Sequence, residues 1–190
     1  MKTLVFATSN KHKLTELKAI LPEFDIKGLS DIGIIEEIPE TGSTLEENAW
    51  IKAKYLYDCT GQTSFSEDTG LEVDILGGQP GVHTARYAGE QRNPQDNMAK
   101  LLHELVDKTD RYAQFRTVIA MVDDSGVRYF EGLVRGKIAL QKSGIEGFGY
   151  DPVFIPDGYD RTFAELSGEI KNQISHRARA VQELVDFLKN

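Results

Sequence analysis

Phe65-Ser66-Glu67-Asp68-Thr69-Gly70-Leu71 is the stretch around which the chain is organised. It follows a turn signal at Gly61 and a short β-prone run over residues 63–65, delivers two adjacent carboxylates and then reaches a glycine. By itself it reads as a strand ending in an acidic turn, and acids placed there lie at a sheet edge open to a ligand. Successive strand residues point to opposite faces. Only one of Glu67 and Asp68 is therefore expected to face a ligand, the other acting from behind or beside it. A solvated acidic turn has the same local pattern. The two readings are separated by polar clusters at the ends of other elements.

Upstream, residues 3–7 read as a buried strand, and Leu14, Leu17, Ile20 and Leu21 recur at helical spacing. Between them, Thr8-Ser9-Asn10-Lys11-His12-Lys13 forms a polar strand-to-helix turn. Its backbone N–H groups and the positive end of the helix dipole suit an anion, and Lys11 and Lys13 add charge. The glycines of a Walker A loop are missing, and plain N-capping by Thr8, Ser9 or Asn10 fits the same residues. Pro22 ends this helix, and residues 25–38 are expected as strand and loop. Glu36, Glu37 and Glu40 cluster around Pro39. Ser43 and Thr44 each have a glutamate three residues on, Glu46 and Glu47, a doubled capping box that predicts a helix. Leu45, Ala49, Ala53 and Leu56 form its buried stripe. Thr44, Asn48 and Lys52 share a second stripe. An acid before the helix and a lysine along it could serve one anionic ligand through a metal. Without other evidence the stripe is expected on the solvated face.

Downstream, residues 71–76 continue as strand or helix, and Gly77-Gly78-Gln79-Pro80-Gly81 reads as a loop. Asn93-Pro94 is an N-cap with proline at the first helical position, followed by an apolar face of Met98, Leu101, Leu102 and Leu105; His103 is expected to be exposed. Residues 118–122 read as a central strand, turned at Asp123-Asp124-Ser125-Gly126 into a hairpin returning over 127–134, with strand propensity resuming at 137–140. In the segment 144–152, Gly144, Gly147 and Gly149 alternate with Phe148 and Tyr150. The backbone there can approach closely while two aromatic faces stack a base; aromatics anchored in the core under a surface turn suit the pattern as well. Residues 152–155 restore a strand, and Pro156-Asp157-Gly158 turns it. Lys171 precedes Ser175-His176-Arg177, where Ser175 caps a last helix striped by Val181, Leu184, Val185 and Leu188. Adjacent Ser and His rarely reach the geometry of a nucleophilic pair, so His176 and Arg177 read as hydrogen-bond donors to a ligand.

At 190 residues the chain fits one domain with a substantial core. Thirty acidic against 22 basic residues give a net charge of −8, which argues against a nucleic-acid partner. A small phosphorylated ligand needs only a few placed lysines. The lone Cys59 cannot form an internal disulfide, which suits a reducing, cytoplasmic compartment, and it is expected as a core filler. No run reaches the length of a signal peptide or membrane span, so no membrane partner is expected.

Taken in order, these segments resemble the inosine triphosphate pyrophosphatase family. The resemblance covers almost the whole chain. It rests on the turn 8–13, on Glu40-Thr41-Gly42 with Glu47-Asn48-Ala49 and Lys52-Ala53, and on Glu67-Asp68-Thr69-Gly70-Leu71. It continues through Pro80-Gly81-Val82 with Ala85-Arg86-Tyr87, Gly147-Phe148-Gly149-Tyr150-Asp151-Pro152, and Ser175-His176-Arg177. The resemblance implies an α/β fold, elongated and two-lobed, with a long curved mixed β-sheet flanked by helices and a central cleft. It implies a single nucleoside triphosphate pyrophosphatase domain over residues 1–190, working as a homodimer. The implied activity is hydrolysis of non-standard purine nucleoside triphosphates (ITP, dITP, XTP) to the monophosphate and pyrophosphate.

Each matching position takes an implied role. Thr8, Ser9, Asn10, Lys11, His12 and Lys13 would hold phosphates with Lys52. Glu40 and Asp68 would carry Mg2+, with Asp68 also activating the attacking water. Thr69 belongs to the same motif and is counted with the substrate-binding residues. Phe148, Gly149, Tyr150, Asp151, Lys171, His176 and Arg177 would hold the base and sugar end. Glu67 and Thr69 stand where many bacterial members have Asp and Ser, keeping the carboxylate and the hydroxyl. The chemistry agrees: carboxylates alone repel a triphosphate, so a divalent cation must stand between acid and phosphate, and Mg2+ needs only one or two carboxylates. Two alternatives stay open, a nucleotide-binding sensor without turnover and a pyrimidine triphosphate pyrophosphatase of similar fold.

Overall fold

The computed structural model describes residues 2–8, 11–35 and 38–189, with the side chains of Lys11, His12 and Glu16 left aside. Strand β1 (Lys2–Phe6) leads into helix α1 (Lys11–Ile20) and returns as β2 (Phe24–Lys27), parallel to β1. Helix α2 (Leu45–Thr60) then crosses to β3 (Ser64–Val73), which lies parallel to β1 on its other side. A short β4 (Gln79–Gly81) folds back antiparallel on the end of β3. Helix α3 (Pro94–Glu104) precedes the hairpin of β5 (Tyr112–Asp123) and β6 (Gly126–Ile138), and β7 (Phe154–Pro156) adds antiparallel to β6. Helices α4 (Gly168–Ile174) and α5 (His176–Lys189) end the chain. The result is a mixed α/β fold, the seven strands among the described residues ordered β2-β1-β3-β5-β6-β7 with β4 on β3.

The caps form where the residues demand them. Thr44 accepts the Glu47 N–H at 3.1 Å as N-cap, while the Glu47 carboxylate accepts the N–H of Ser43, one residue before the cap, so the Thr44 half of the doubled signature forms the cap. Asn93 accepts from Gln95 and Asp96 with Pro94 at the first turn. Ser175 accepts the Ala178 N–H, starting α5.

The chain divides into two compact units. One comprises residues 1–68, 118–131 and 180–190, the other 69–117 and 132–179. In the first, β1 is buried on both faces. Leu4 and Phe6 join Leu17, Leu21 and Leu184, whereas Val5 meets Leu56 and Ile38, which is why its apolar run is unbroken. In the second, the α3 face of Met98, Leu101 and Leu105 packs with Leu71, Phe115, Phe154 and Phe163.

Four expectations are corrected. The strand carrying Glu67 and Asp68 does not end at Gly70 but continues to Val73, since Gly70 is buried without a left-handed backbone and β4 pairs with Leu71–Val73. Three of the five residues of the 77–81 loop are therefore strand β4, and the hairpin's return runs unbroken to Ile138. Cys59 is exposed in the last turn of α2, outside the stripe that buries Ala49, Ala53 and Leu56. Helix α4, for which no expectation was drawn from the sequence, is seven residues long and capped by Ser167. Among the described residues no helix is long and apolar enough to cross a membrane.

Candidate active site

Among the described residues β1 pairs with β3 at Val5↔Ser64 and Phe6↔Phe65, and β3 runs on to Val73, past the last residue of β1. Glu67 and Asp68 follow directly and, as strand alternation requires, reach different elements. Glu67 forms an ion pair with Lys13 in the first turn of α1. Asp68 turns to α2, where Lys52 Nζ stands 3.4 Å from its Oδ1 and Asn48 Nδ2 donates to its Oδ2 at 3.3 Å. The same Lys52 Nζ donates to Glu40 Oε1 at 2.6 Å and to the Glu67 carbonyl oxygen at 3.0 Å. Asn48 and Lys52 therefore leave the solvated face expected of them: both turn to β3, with Asn48 buried and the Lys52 side chain 13 % exposed.

Burial, the largest influence, pushes the Asp68 carboxyl above its ordinary pKa; Glu40 adds repulsion, while Lys52 and Asn48 pull the other way. Two carboxylates thus converge on one cationic nitrogen. That donor set, hard oxygen with no thiolate or imidazole, fits Mg2+. Among the described residues no group of three or more His, Cys, Asp or Glu is arranged to enclose a metal ion, so Glu40 and Asp68 stand as a pair. Ser9, Asn10, Glu36 and Glu37, with the side chains of Lys11 and His12, lie outside the described residues. The expected phosphate turn is represented by Thr8, whose N–H donates to the Phe6 carbonyl, and by Lys13.

The second unit holds the other cluster. Asp151 is buried, and its Oδ2 accepts the Phe148 N–H at 2.7 Å and an ion pair from Lys171. Lys171 Nζ also lies 4.6 Å from the centre of the Phe148 ring. Gly147 is required here: its φ is +79°, and a Cβ would stand 2.1 Å from Asp151 Oδ2. Phe148 is 71 % exposed and presents an open face, whereas Tyr150 is 3 % exposed and donates its hydroxyl to the Thr84 carbonyl. The expectation of two open aromatic surfaces is corrected to one, because Tyr150 belongs to the core cluster. Gly149 has a φ of +60° between them. The His176 ring stacks on Phe115 at 4.8 Å, with Arg177, half-buried, beside it at the start of α5. Thr69 shares a 2.7 Å hydroxyl hydrogen bond with Thr117.

A model of the Ham1 family matches residues 4–187. The chain belongs to the Ham1 family. This Ham1 chain is 54 % identical over 188 residues to a curated dITP/XTP pyrophosphatase of Flavobacterium psychrophilum, covering 98 % of this chain and 99 % of that protein. It is 53 % identical to the dITP/XTP pyrophosphatase of Porphyromonas gingivalis over 190 residues, covering 99 % and 98 %. Among solved structures, the Ham1 protein of Staphylococcus aureus superposes with a TM-score of 0.95 at 43 % identity, covering 99 % and 98 % of the two chains. The nucleoside-triphosphatase / dITP/XTP pyrophosphatase of Mycobacterium abscessus gives 0.85 at 40 % identity, covering 96 % and 98 %. Asn48 lies within the Glu47-Asn48-Ala49 motif and on the stripe of Lys52, four residues away, but sequence reading assigned it no role in the site.

Proposed function

We propose that the chain hydrolyses non-standard purine nucleoside triphosphates, dITP, XTP and ITP, to the monophosphate and pyrophosphate. The observation that carries this reading is the convergence of Glu40 and Asp68 on the Lys52 ammonium, in a chain whose relatives bear the name dITP/XTP pyrophosphatase. Glu40 and Asp68 hold Mg2+, which when bound supplies Lewis-acid neutralisation of phosphate charge. Asp68 takes a proton from the water that attacks the α-phosphorus, as the bond to the β-phosphate oxygen breaks and pyrophosphate leaves. Lys13 and Lys52, with the turn 8–13, bind the phosphates and offset charge on the leaving group.

Phe148 stacks the base, Lys171 and Asp151 hold the loop and the sugar end, and Arg177 donates to the 6-oxo group. Guanidinium has donors and no acceptor, so it matches hypoxanthine and xanthine and opposes the 6-amino group of adenine. The family match over residues 4–187 supports a single domain. A homodimer is the further expectation carried by the resemblance, and a cytoplasmic setting the one carried by the lone Cys59.

The test is a screen of nucleoside triphosphates with Mg2+, reading pyrophosphate and monophosphate together. Equal release of both from dITP, ITP and XTP, well above ATP, is expected. Release of orthophosphate with a diphosphate, or equal rates on all bases, would overturn the reading.

A further inference from the structure

Asn48 joins the two segments that carry Glu40 and Asp68. It is 1 % exposed. Its Oδ1 accepts the Gly42 N–H at 2.8 Å. A backbone N–H can only donate, so this contact decides which end of the amide faces Gly42 and turns Nδ2 toward Asp68 Oδ2, at 3.3 Å. With Oδ2 held by Asn48, Asp68 Oδ1 is the oxygen facing Lys52. Gly42 is closely seated: a Cβ there would stand 2.6 Å from Glu47 Cβ and 2.8 Å from Asn48 Oδ1. Glu40 lies two residues before it in the chain. One amide therefore anchors both the loop that presents Glu40 and the carboxylate of Asp68.

We infer that Asn48 is a positioning residue, holding Glu40 and Asp68 in one register for a divalent cation. The inference rests on the reading of those two carboxylates as cation ligands. An amide suits the place because it donates at one end and accepts at the other. An aliphatic side chain would do neither, and a carboxylate would face Asp68 with like charge. Groups that orient metal ligands from behind commonly govern affinity as strongly as they govern rate.

The test titrates nucleotide-free protein with Mn2+ by calorimetry, alongside thermal melts and the Mg2+ dependence of dITP hydrolysis. Asn48→Ala is compared with Asn48→Ser, which keeps a polar side chain but has a single short hydroxyl that cannot bridge Gly42 and Asp68. The control is Thr44→Ala, which removes the cap of the same helix without a contact to Asp68. Both Asn48 variants should raise the Mn2+ dissociation constant roughly ten-fold or more, with a parallel rise in the Mg2+ needed for half-maximal rate. Thr44→Ala should lower Tm and leave the Mn2+ constant near its wild-type value. An unchanged constant in both Asn48 variants, or an equal shift in Thr44→Ala, would overturn the inference. Failure of the wild type to release pyrophosphate from dITP would count against the proposed reaction alone, because the cation titration uses no nucleotide.

Discussion

Asp68 sits under opposed demands, and its neighbours show which wins. Burial raises its pKa more than Lys52 and Asn48 lower it. A carboxyl whose pKa rises on folding binds its proton more tightly in the folded state. Its ionisation then costs stability at pH values above the raised pKa, a cost absent below the unfolded value. Asp68→Asn removes that charge at nearly constant volume. It is expected to slow pyrophosphate release by about 10²–10⁴-fold, as loss of a positioned base does, with a Tm equal to or above the wild type at neutral pH. Near-normal turnover at saturating Mg2+, or a clear fall in Tm, would show that Asp68 is structural. Phe148 and Tyr150 invite the opposite comparison. Phe148→Ala removes an exposed ring, so Tm should hold while nucleotide binding weakens by about 1–3 kcal/mol, the worth of one stacked base. Tyr150→Ala empties part of a core and should cost about 3–5 kcal/mol of stability, as large aromatic truncations do. Equal melts for the two variants would contradict that division.

Helix α4 shows how an element can hold a functional side chain at the margin of its own stability. Seven residues are too few to persist alone, so α4 depends on its Ser167 cap and on the packing of Ile170 and Ile174 against the core. It carries Lys171, which reaches both Asp151 and the Phe148 ring. Ser167→Ala removes the acceptor of the Ile170 N–H and should cost about 1 kcal/mol. The expected readout is a higher KM for dITP with Mn2+ affinity unchanged, because the residues around Asp68 are not touched. An unaltered KM would mean that Ile170 and Ile174 hold the helix without its cap. Helix α2 is the sturdier case: sixteen residues, with the Thr44 side chain capping the start and Gly61 in the left-handed conformation at the end.

Across the whole molecule, β3, β5 and β6 each contribute residues to both compact units. A core that loses these strands withdraws them from the other core as well, so unfolding is expected as one cooperative transition. Leu56→Ala in the first unit and Phe154→Ala in the second should each lower a single shared Tm, by the roughly 2–5 kcal/mol typical of such truncations. Two separable calorimetric transitions would sink this expectation. Periodicity and capping within three or four residues were enough to place α1, α2, α3, α5 and the β5–β6 hairpin, because those signals are local. The resemblance singled out Glu40, Lys52 and Asp68 by motif. Their mutual arrangement was not readable, since it depends on partners far apart in sequence. Lys52 meets Glu40 across 12 residues, Asn48 meets Asp68 across 20, and Tyr150 meets Thr84 across 66. A lysine and an asparagine on a polar stripe look solvated until a strand with a carboxylate is laid against them. A glycine looks like a turn until neighbouring strands supply partners for the backbone on either side of it. Composition and local pattern therefore determined which elements form and which side chains could do chemistry. Only the tertiary structure decided which of those groups face each other, because burial and hydrogen-bond satisfaction are settled between segments and not within them.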